Sequence, residues 1–162
     1  MSTFNGLPAH VLFVHFIVVL APLTAILAIL CAVWPAARGR LVWLVLVLAG
    51  IVAVLTPITT EAGEYLEHQV ERTPLLHTHA ELGDTMIFFA GGLLIAAVLL
   101  AVVHLRTSRG KSVSTALNVV VAVVVLAAGI GAIVQTYRIG DSGAKSVWGD
   151  VPLTSSSGED GE

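Results

Sequence analysis

The sequence predicts an all-α fold, a four-helix antiparallel transmembrane bundle with both termini on the extracytoplasmic side. The chain has 162 residues, of which 56% are hydrophobic and 12% charged, whereas soluble domains carry about 25% charged residues. Four long apolar stretches are each about long enough to cross a hydrocarbon core roughly 30 Å thick. The segments between these stretches alternate in charge, as the loops of multi-pass membrane proteins do.

The four stretches define predicted spans 1 to 4, which are Val11–Trp34, Leu41–Pro57, Thr85–Leu105 and Ala116–Tyr137. Span 1 is expected to end at Pro35 and Gly39, which open a short turn before span 2 begins near Arg40. After Pro57, where a kink is expected, the helical pattern continues but becomes amphipathic. Short linkers make successive helices antiparallel neighbours, so the outer ends of all four should converge.

The second half of the chain is also predicted to form two helices, which contain spans 3 and 4. The pair Thr73–Pro74 supplies an N-cap and a first-turn proline for the helix that leads into span 3. Span 4 is expected to end at Tyr137–Arg138, an interfacial anchor. The tail after it is expected to fold back over the acidic side, because Gly140 and Gly143 allow tight turns and Trp148 is an amphipathic anchor.

Residues 1–151 are thus predicted to form one transmembrane domain with a short outer tail. The polar, acidic segment 152–162 is predicted to be disordered, because it has too little apolar surface to bury.

Charge divides the chain into two ends. The linkers 36–40 and 106–114 hold five Lys or Arg residues and no acid, and we call this side the basic end. The opposite side, the acidic end, holds all eleven acidic residues and five of the six histidines. The positive-inside rule predicts that the basic end is cytoplasmic and that both termini lie outside. Nucleic acid is not an expected partner, because the chain has no basic stripe.

Two histidines open span 1. His10 and His15 are five residues apart, which separates their side chains by about 140° around a helix. His15 lies roughly one turn inside the apolar boundary, where an imidazole needs a partner. Its role stays open between hydrogen bonding to another helix, ligation of a metal or haem, and proton relay.

A polar face follows span 2. Glu61, Glu64 and His68 have i, i+3, i+7 spacing and share one side of the helix, whereas Glu67 and Glu71 are expected to be wetter. Such a set is either a solvated face or part of a site. Its place just above the membrane, level with the other histidines, supports the second interpretation.

A second polar face precedes span 3. His77, Glu81 and Asp84 share one side, and His79 points about 160° away from His77. Because His79 lies on the side of the small residue Gly83, it is the better candidate for the bundle interior. At the opposite end of the chain, a lone histidine at position 104 is expected to be interfacial, with no partner visible in the sequence.

Several segments have recognisable signatures. Gly6–His10 followed by Val14–Phe16 reads G-x-P-x-H and V-H-F, with later signatures at Thr60–Glu64, His79–Asp84 and Tyr137–Trp148. Together they resemble a bacterial four-helix integral membrane family described only as a domain of unknown function. The resemblance covers almost the whole chain and implies a multi-pass protein of the bacterial plasma membrane.

The same resemblance bears on function. Some relatives are fused to a Rieske-type iron–sulfur domain, which implies a respiratory setting, and the shared signatures single out His10, His15, Glu64 and His79. Many members have proline where Val11 and Ile17 stand here, so the geometry of the first helix is expected to differ.

Three functions compete. The acidic end binds haem b between histidines of the first and third helices, with Gly91, Gly92, Gly129 and Gly131 making room for the ring and a quinone or extracytoplasmic redox protein as partner. Alternatively, it binds one transition metal such as Cu or Zn through mixed His and Glu ligands. In the third interpretation the protein is a scaffold or accessory subunit that can form an oligomer. Its histidines and carboxylates then pair only with one another.

The specific site hypothesis is that His10, His15, Glu64 and His79 converge near the outer membrane boundary and hold one metal centre. Glu64 either ligates the metal or orients a ligating imidazole. The neighbouring groups Glu61, His68, His77 and Asp84 are alternates or outer hydrogen-bonding groups.

The predicted topology is tested by reporter fusions. Because the two basic linkers carry five positive charges and no acid, fusions at Gly39 and Gly110 should report a cytoplasmic location and a fusion at Arg72 an external one. A cytoplasmic signal from the fusion at Arg72 would contradict the four-span topology with both termini outside.

Overall fold

The computed structural model of the chain describes residues 3–4, 7–69 and 73–148. A minimal antiparallel pair of strands, β1 (Thr3–Phe4) and β2 (Leu7–Pro8), precedes the helices. The helices are α1 (Ala9–Val33), α2 (Pro35–Glu67), α3 (Pro74–Asp84), α4 (Met86–Ser108) and α5 (Thr115–Trp148). The predicted all-α bundle is therefore confirmed.

Four candidate membrane spans lie within these helices, as the sequence predicts. They are Leu12–Val33, Pro35–Glu67, Pro74–Ser108 and Thr115–Val147, and each is long and apolar enough to cross a membrane. In the bundle α1 and α4 each pack against both α2 and α5, so the four long helices form a closed ring. The short helix α3 packs mainly on α5 and more lightly on α2.

Small residues form the inner face of α1. Ala21, Ala25, Ala28 and Cys31 are all fully buried, and they recur every three or four residues as one helical face must. Across from them α2 buries valines and threonines at the same spacing. Side chains of this size let the helix axes approach closely, which is how helices gain packing energy in lipid.

Large apolar side chains cover the outside of the bundle. Phe88 is 77% exposed, Val19 63% and Val54 62%. A soluble protein would pay heavily for so much apolar surface in water, whereas a bilayer removes that cost. The surface of the bundle is thus suited to contact with lipid.

Three helix boundaries differ from the sequence-based expectation. A single residue, Trp34, separates α1 from α2, because Pro35 begins α2 rather than opening a longer turn; Gly39 and Arg40 are helical. The prediction that span 4 ends at Tyr137–Arg138 is wrong, since α5 continues to Trp148.

The expected turns at Gly140 and Gly143 are therefore also wrong, because both residues are helical. Nothing packs over Gly140 within 4 Å, and Gly143 lies against a histidine described below. The side chain of Trp148 and the acidic segment 152–162 lie outside the described residues.

The third difference is a break at Thr85, which separates α3 from α4 where one continuous helix is expected. The buried side chain of Gln135 on α5 holds this break. Its amide nitrogen donates to the backbone oxygen of Leu82 at 2.9 Å and to the hydroxyl of Thr85 at 2.7 Å. The Thr85 hydroxyl in turn donates to Leu82 O at 2.7 Å. Gln135 thereby fixes the position of α3 against α5.

Helix length determines how far the acidic end extends beyond the apolar part of the bundle. At 1.5 Å per residue the 33 residues of α2 span about 50 Å, well beyond a hydrocarbon core of about 30 Å. The charged residues of α2 are confined to its two ends, with Glu61, Glu64 and Glu67 near the last turns. The acidic ends of α2, α3 and α5 therefore extend above the apolar part of the bundle.

Replacing Gln135 by leucine should destabilise the fold by about 1 kcal/mol, because two hydrogen bonds at the break are lost from a buried position. Thermal unfolding in detergent measures this. Gln69→Leu is the matched control, since Gln69 is exposed in the turn after α2. Equal melting temperatures for the two variants would show that the Gln135 bridge does not stabilise α3.

Candidate functional site

Two adjoining cavities lie at the acidic end of the bundle. The upper cavity has a volume of about 360 Å³ and the lower one, deeper among apolar side chains, about 60 Å³. Four residues line both cavities, namely His10, Thr60, His79 and Gly83. The two imidazoles thus lie at the boundary between a polar upper space and an apolar lower one.

His10 is held between α1 and α2. Its Nδ1 lies 3.0 Å from the backbone oxygen of Thr59. A carbonyl oxygen only accepts hydrogen bonds, so Nδ1 must carry the proton. A backbone carbonyl has two lone pairs, so Thr59 O can accept this bond in addition to a helical one. In neutral His10 the other ring nitrogen, Nε2, therefore carries a lone pair.

His79 is held between α3 and α5 in the same way. Its Nδ1 lies 3.0 Å from the hydroxyl oxygen of Ser142. That hydroxyl donates its only proton to Ile139 O at 2.9 Å, so towards His79 it is an acceptor. The Nδ1 of His79 is the donor, and its Nε2 also carries a lone pair when the ring is neutral. Both imidazoles line the same two cavities.

A glycine lies against each imidazole ring. A Cβ at position 63 would lie 2.9 Å from Cε1 of His10, and a Cβ at position 143 would lie 3.0 Å from Cε1 of His79. Real Cβ atoms essentially never lie as close as 2.9 Å to another atom, and a contact of 3.0 Å is tighter than nine in ten, so at both positions the ring would have to move to admit a methyl group. The small size of Gly63 and Gly143 thus allows the two imidazole rings to occupy their positions.

Carboxylates line the upper cavity beside the histidines. Glu64 and Glu67 come from the end of α2, and Asp84 from the end of α3. Glu67 is half-buried, which corrects the expectation that it is wetter than its neighbours. One turn of α2 separates Glu64 from Glu67, so both reach the same space. The negative charge of this wall favours a cation.

The other sequence-predicted residues lie outside these two cavities. Glu61, His68, His77 and His15 are all exposed. His77 is 3.4 Å from Glu81 in an exposed i, i+4 pair, as its predicted solvent-facing position implies.

The exposure of His15 has a simple geometric cause. The buried face of α1 is marked by Ala21, and His10 lies only about 20° from that direction around the helix, whereas His15 lies about 120° away. The packing of the small residues fixes the rotation of α1, and that rotation brings His10 rather than His15 to the cavities.

Three of the four glycines expected to make room for a haem ring face protein side chains, whereas nothing lies within 4 Å of a Cβ at Gly91. A Cβ at Gly129 would lie 2.9 Å from Cδ1 of Ile29, and one at Gly131 would lie 3.2 Å from the ring of Phe89. Gly92 faces Ala128 at an ordinary contact distance. Gly92, Gly129 and Gly131 therefore serve helix packing.

At the basic end His104 has a partner that the sequence did not suggest. The ring centroids of His104 and Trp43 are 6.2 Å apart with an interplanar angle of 87°, an edge-to-face contact. His104 belongs to helix packing rather than to the cavities.

Sequence reasoning missed the residues that orient the two histidines. Ser142, the carbonyl of Thr59 and the glycines at 63 and 143 have no pattern that marks them. The only hints are that Gly63 lies in the Thr60–Glu64 signature and that Ser142 and Gly143 lie in the Tyr137–Trp148 signature. Within the described residues, no three His, Cys, Asp or Glu side chains form a ready metal-binding group.

Comparison with known proteins gives one match. The family model described as a predicted membrane protein (DUF2231) matches residues 6–154 of the chain. No curated protein and no solved structure matches.

Gly63→Ala should displace the His10 ring and weaken its hydrogen bond to Thr59 O, because the new methyl group overlaps Cε1. Histidine-selective nitrogen-15 NMR measures this as a changed Nδ1 resonance of His10. Gly50→Ala is the matched control, since it makes the same change in α2 with nothing within 4 Å. An unchanged His10 resonance in Gly63→Ala would contradict the contact.

Proposed function

We propose that this chain, which belongs to the DUF2231 family of predicted membrane proteins, binds one transition-metal ion at its acidic end through His10 and His79. The observation that carries the proposal is the shared hydrogen-bonding state of the two imidazoles. Each Nδ1–H is committed to a protein acceptor, which leaves each Nε2 with its lone pair. Metal-ligating histidines typically have this arrangement, in which the second nitrogen donates to a carbonyl or hydroxyl.

The charge of the upper cavity supports a cation. Glu64, Glu67 and Asp84 line it together with the two histidines. Glu64 and Glu67 both line this cavity, so either carboxylate can become a third ligand or bind a metal-bound water. Imidazole with carboxylate is a donor set for Zn, Cu, Fe and Ni.

Two protein imidazoles leave several coordination positions for water or for a substrate group. Structural zinc sites are closed by four protein ligands, whereas catalytic and transport sites keep positions open. The metal at this site would therefore be exchangeable. The volume of about 360 Å³ accommodates a hydrated ion.

The location follows from charge. The five basic residues of the two linkers orient the basic end towards the cytoplasm. The metal site would then face the outside of a bacterial plasma membrane, at the height of the headgroups.

Metal titration of the purified protein tests the proposal. Calorimetry with Zn²⁺ and the visible absorption of bound Co²⁺ should both report one site per chain. His10→Ala and His79→Ala should each abolish it. His77→Ala is the matched control because it removes an exposed histidine at the same end, and His15→Ala should also retain binding.

Ser142→Ala separates a metal site from a purely structural network. Loss of the hydrogen-bonding group behind His79 should weaken metal binding by about 10- to 100-fold without abolishing it. In the wild-type protein, metal should shift the Nε2 resonances of His10 and His79 while their Nδ1–H signals remain. The proposal fails if the wild type does not bind metal, or if His10→Ala and His79→Ala bind metal as tightly as the wild type does. The role of this cluster would then be the structural network of a scaffold or accessory subunit.

A further inference from the structure

A third cavity, of about 220 Å³, lies at the basic end. It is lined by Val102, Leu105, Arg106, Arg109 and Lys111. It is separate from the metal site proposed above, because it lies at the opposite end of α4. Its lining joins two apolar residues of the last membrane turns to three cationic ones just beyond them.

The backbone at the end of α4 gathers the three cations. Gly110 has a φ of +70°, a conformation that favours glycine, and it reverses the chain directly after the helix. The reversal is closed by Gly110 N donating to Thr107 O at 3.1 Å and Lys111 N donating to Arg106 O at 3.0 Å. Lys111 is thus brought back beside Arg106 instead of continuing along the helix axis.

Among the described residues, no carboxylate lines this cavity to balance its charge. Arg106, Arg109 and Lys111 are all exposed, and neither basic linker contains an acidic residue. The last turn of a helix carries partial negative charge on its carbonyl groups, which stabilises the nearby cations but neutralises only part of their charge. A compact anion is the ligand that this arrangement favours, and guanidinium groups bind phosphate with matched geometry.

The apolar residues identify the source of the anion. Val102 is 46% exposed on the outer surface of the bundle, and it lies about one turn from Arg106 along α4. A free anion would make no use of this apolar surface, whereas a phospholipid places a headgroup phosphate directly above its acyl chains. We propose that the cavity binds one anionic phospholipid, with the phosphate among Arg106, Arg109 and Lys111 and an acyl chain against Val102.

The test uses the purified full-length chain in an uncharged maltoside detergent. Binding of dioctanoyl phosphatidylglycerol is measured by native mass spectrometry and by the rise in melting temperature. Dioctanoyl phosphatidylcholine tests the need for net negative charge, and glycerol phosphate tests the need for the acyl chains. The wild type should bind the first lipid and neither of the other two at the same concentration.

The double variant Arg106→Gln/Arg109→Gln should weaken phosphatidylglycerol binding roughly tenfold or more, since each basic residue near a membrane surface contributes to attraction of anionic lipid. Arg38→Gln/Arg40→Gln is the matched control, because it removes the same charge from the same end of the bundle but outside the cavity. It should bind the lipid like the wild type. Circular dichroism checks the helix content of both variants, and Lys111→Gln repeats the test at an exposed position after the helix.

Equal weakening in both double variants would overturn the proposal in favour of a diffuse effect of net charge. Equal binding of glycerol phosphate and phosphatidylglycerol would overturn the assignment to lipid. Unchanged binding in both Arg106→Gln/Arg109→Gln and Lys111→Gln would remove the cavity as the site.

Discussion

The structure depends on one constraint, which is that polar groups inside an apolar bundle must bond to the protein itself. Lipid offers no hydrogen-bond partner, so an unsatisfied group there costs several kcal/mol. In the described part of the chain no buried side-chain nitrogen or oxygen lacks a partner. Threonines at 24, 56, 59 and 136 meet this requirement within their own helices, each donating to the backbone oxygen four residues earlier. Polar residues can therefore lie deep in α1, α2 and α5 without linking the helices.

In the described part of the chain, side-chain hydrogen bonds link helices at the acidic end. Gln135 joins α5 to the break between α3 and α4. His10 joins α1 to α2, and His79 joins α3 to α5. The basic-end half of the bundle relies instead on packing of alanine, valine and leucine, together with the edge-to-face contact between Trp43 and His104. The separation has a functional meaning, because directional bonds fix the geometry of side chains around the two cavities while non-directional packing stabilises the rest.

Apolar length and charge asymmetry were enough to predict the four helices, their order and the end at which the histidines gather. They were enough because hydrophobic thickness and loop charge determine the position of whole segments, which does not depend on the orientation of any single side chain. The azimuth of single residues was harder to predict, and His15 illustrates why. Depth alone made it a candidate, yet the rotation of α1 depends on the stripe that contains Ala21 and Cys31, which places His10 on the interior side. That stripe is visible in the sequence and gives the better criterion.

Other features depend on tertiary contacts that have no local signal. The break at Thr85 is stabilised by Gln135, fifty residues later, so no property of the third helix alone indicates it. The orientation of His79 depends on Ser142 in the same way. The continuation of α5 past Gly140 and Gly143 follows from packing against α3, which offsets the low helix propensity of glycine.

The two histidine hydrogen bonds divide the acidic end into halves. One bond lies wholly within the pair α1 and α2, and the other wholly within the pair α3 and α5. A sliding movement of one pair relative to the other would break neither bond, because both partners of each bond travel together. The whole displacement would be expressed as a change in the spacing of the two imidazole rings. If one metal ion bound both rings, such a shift would change the distance between its two histidine ligands.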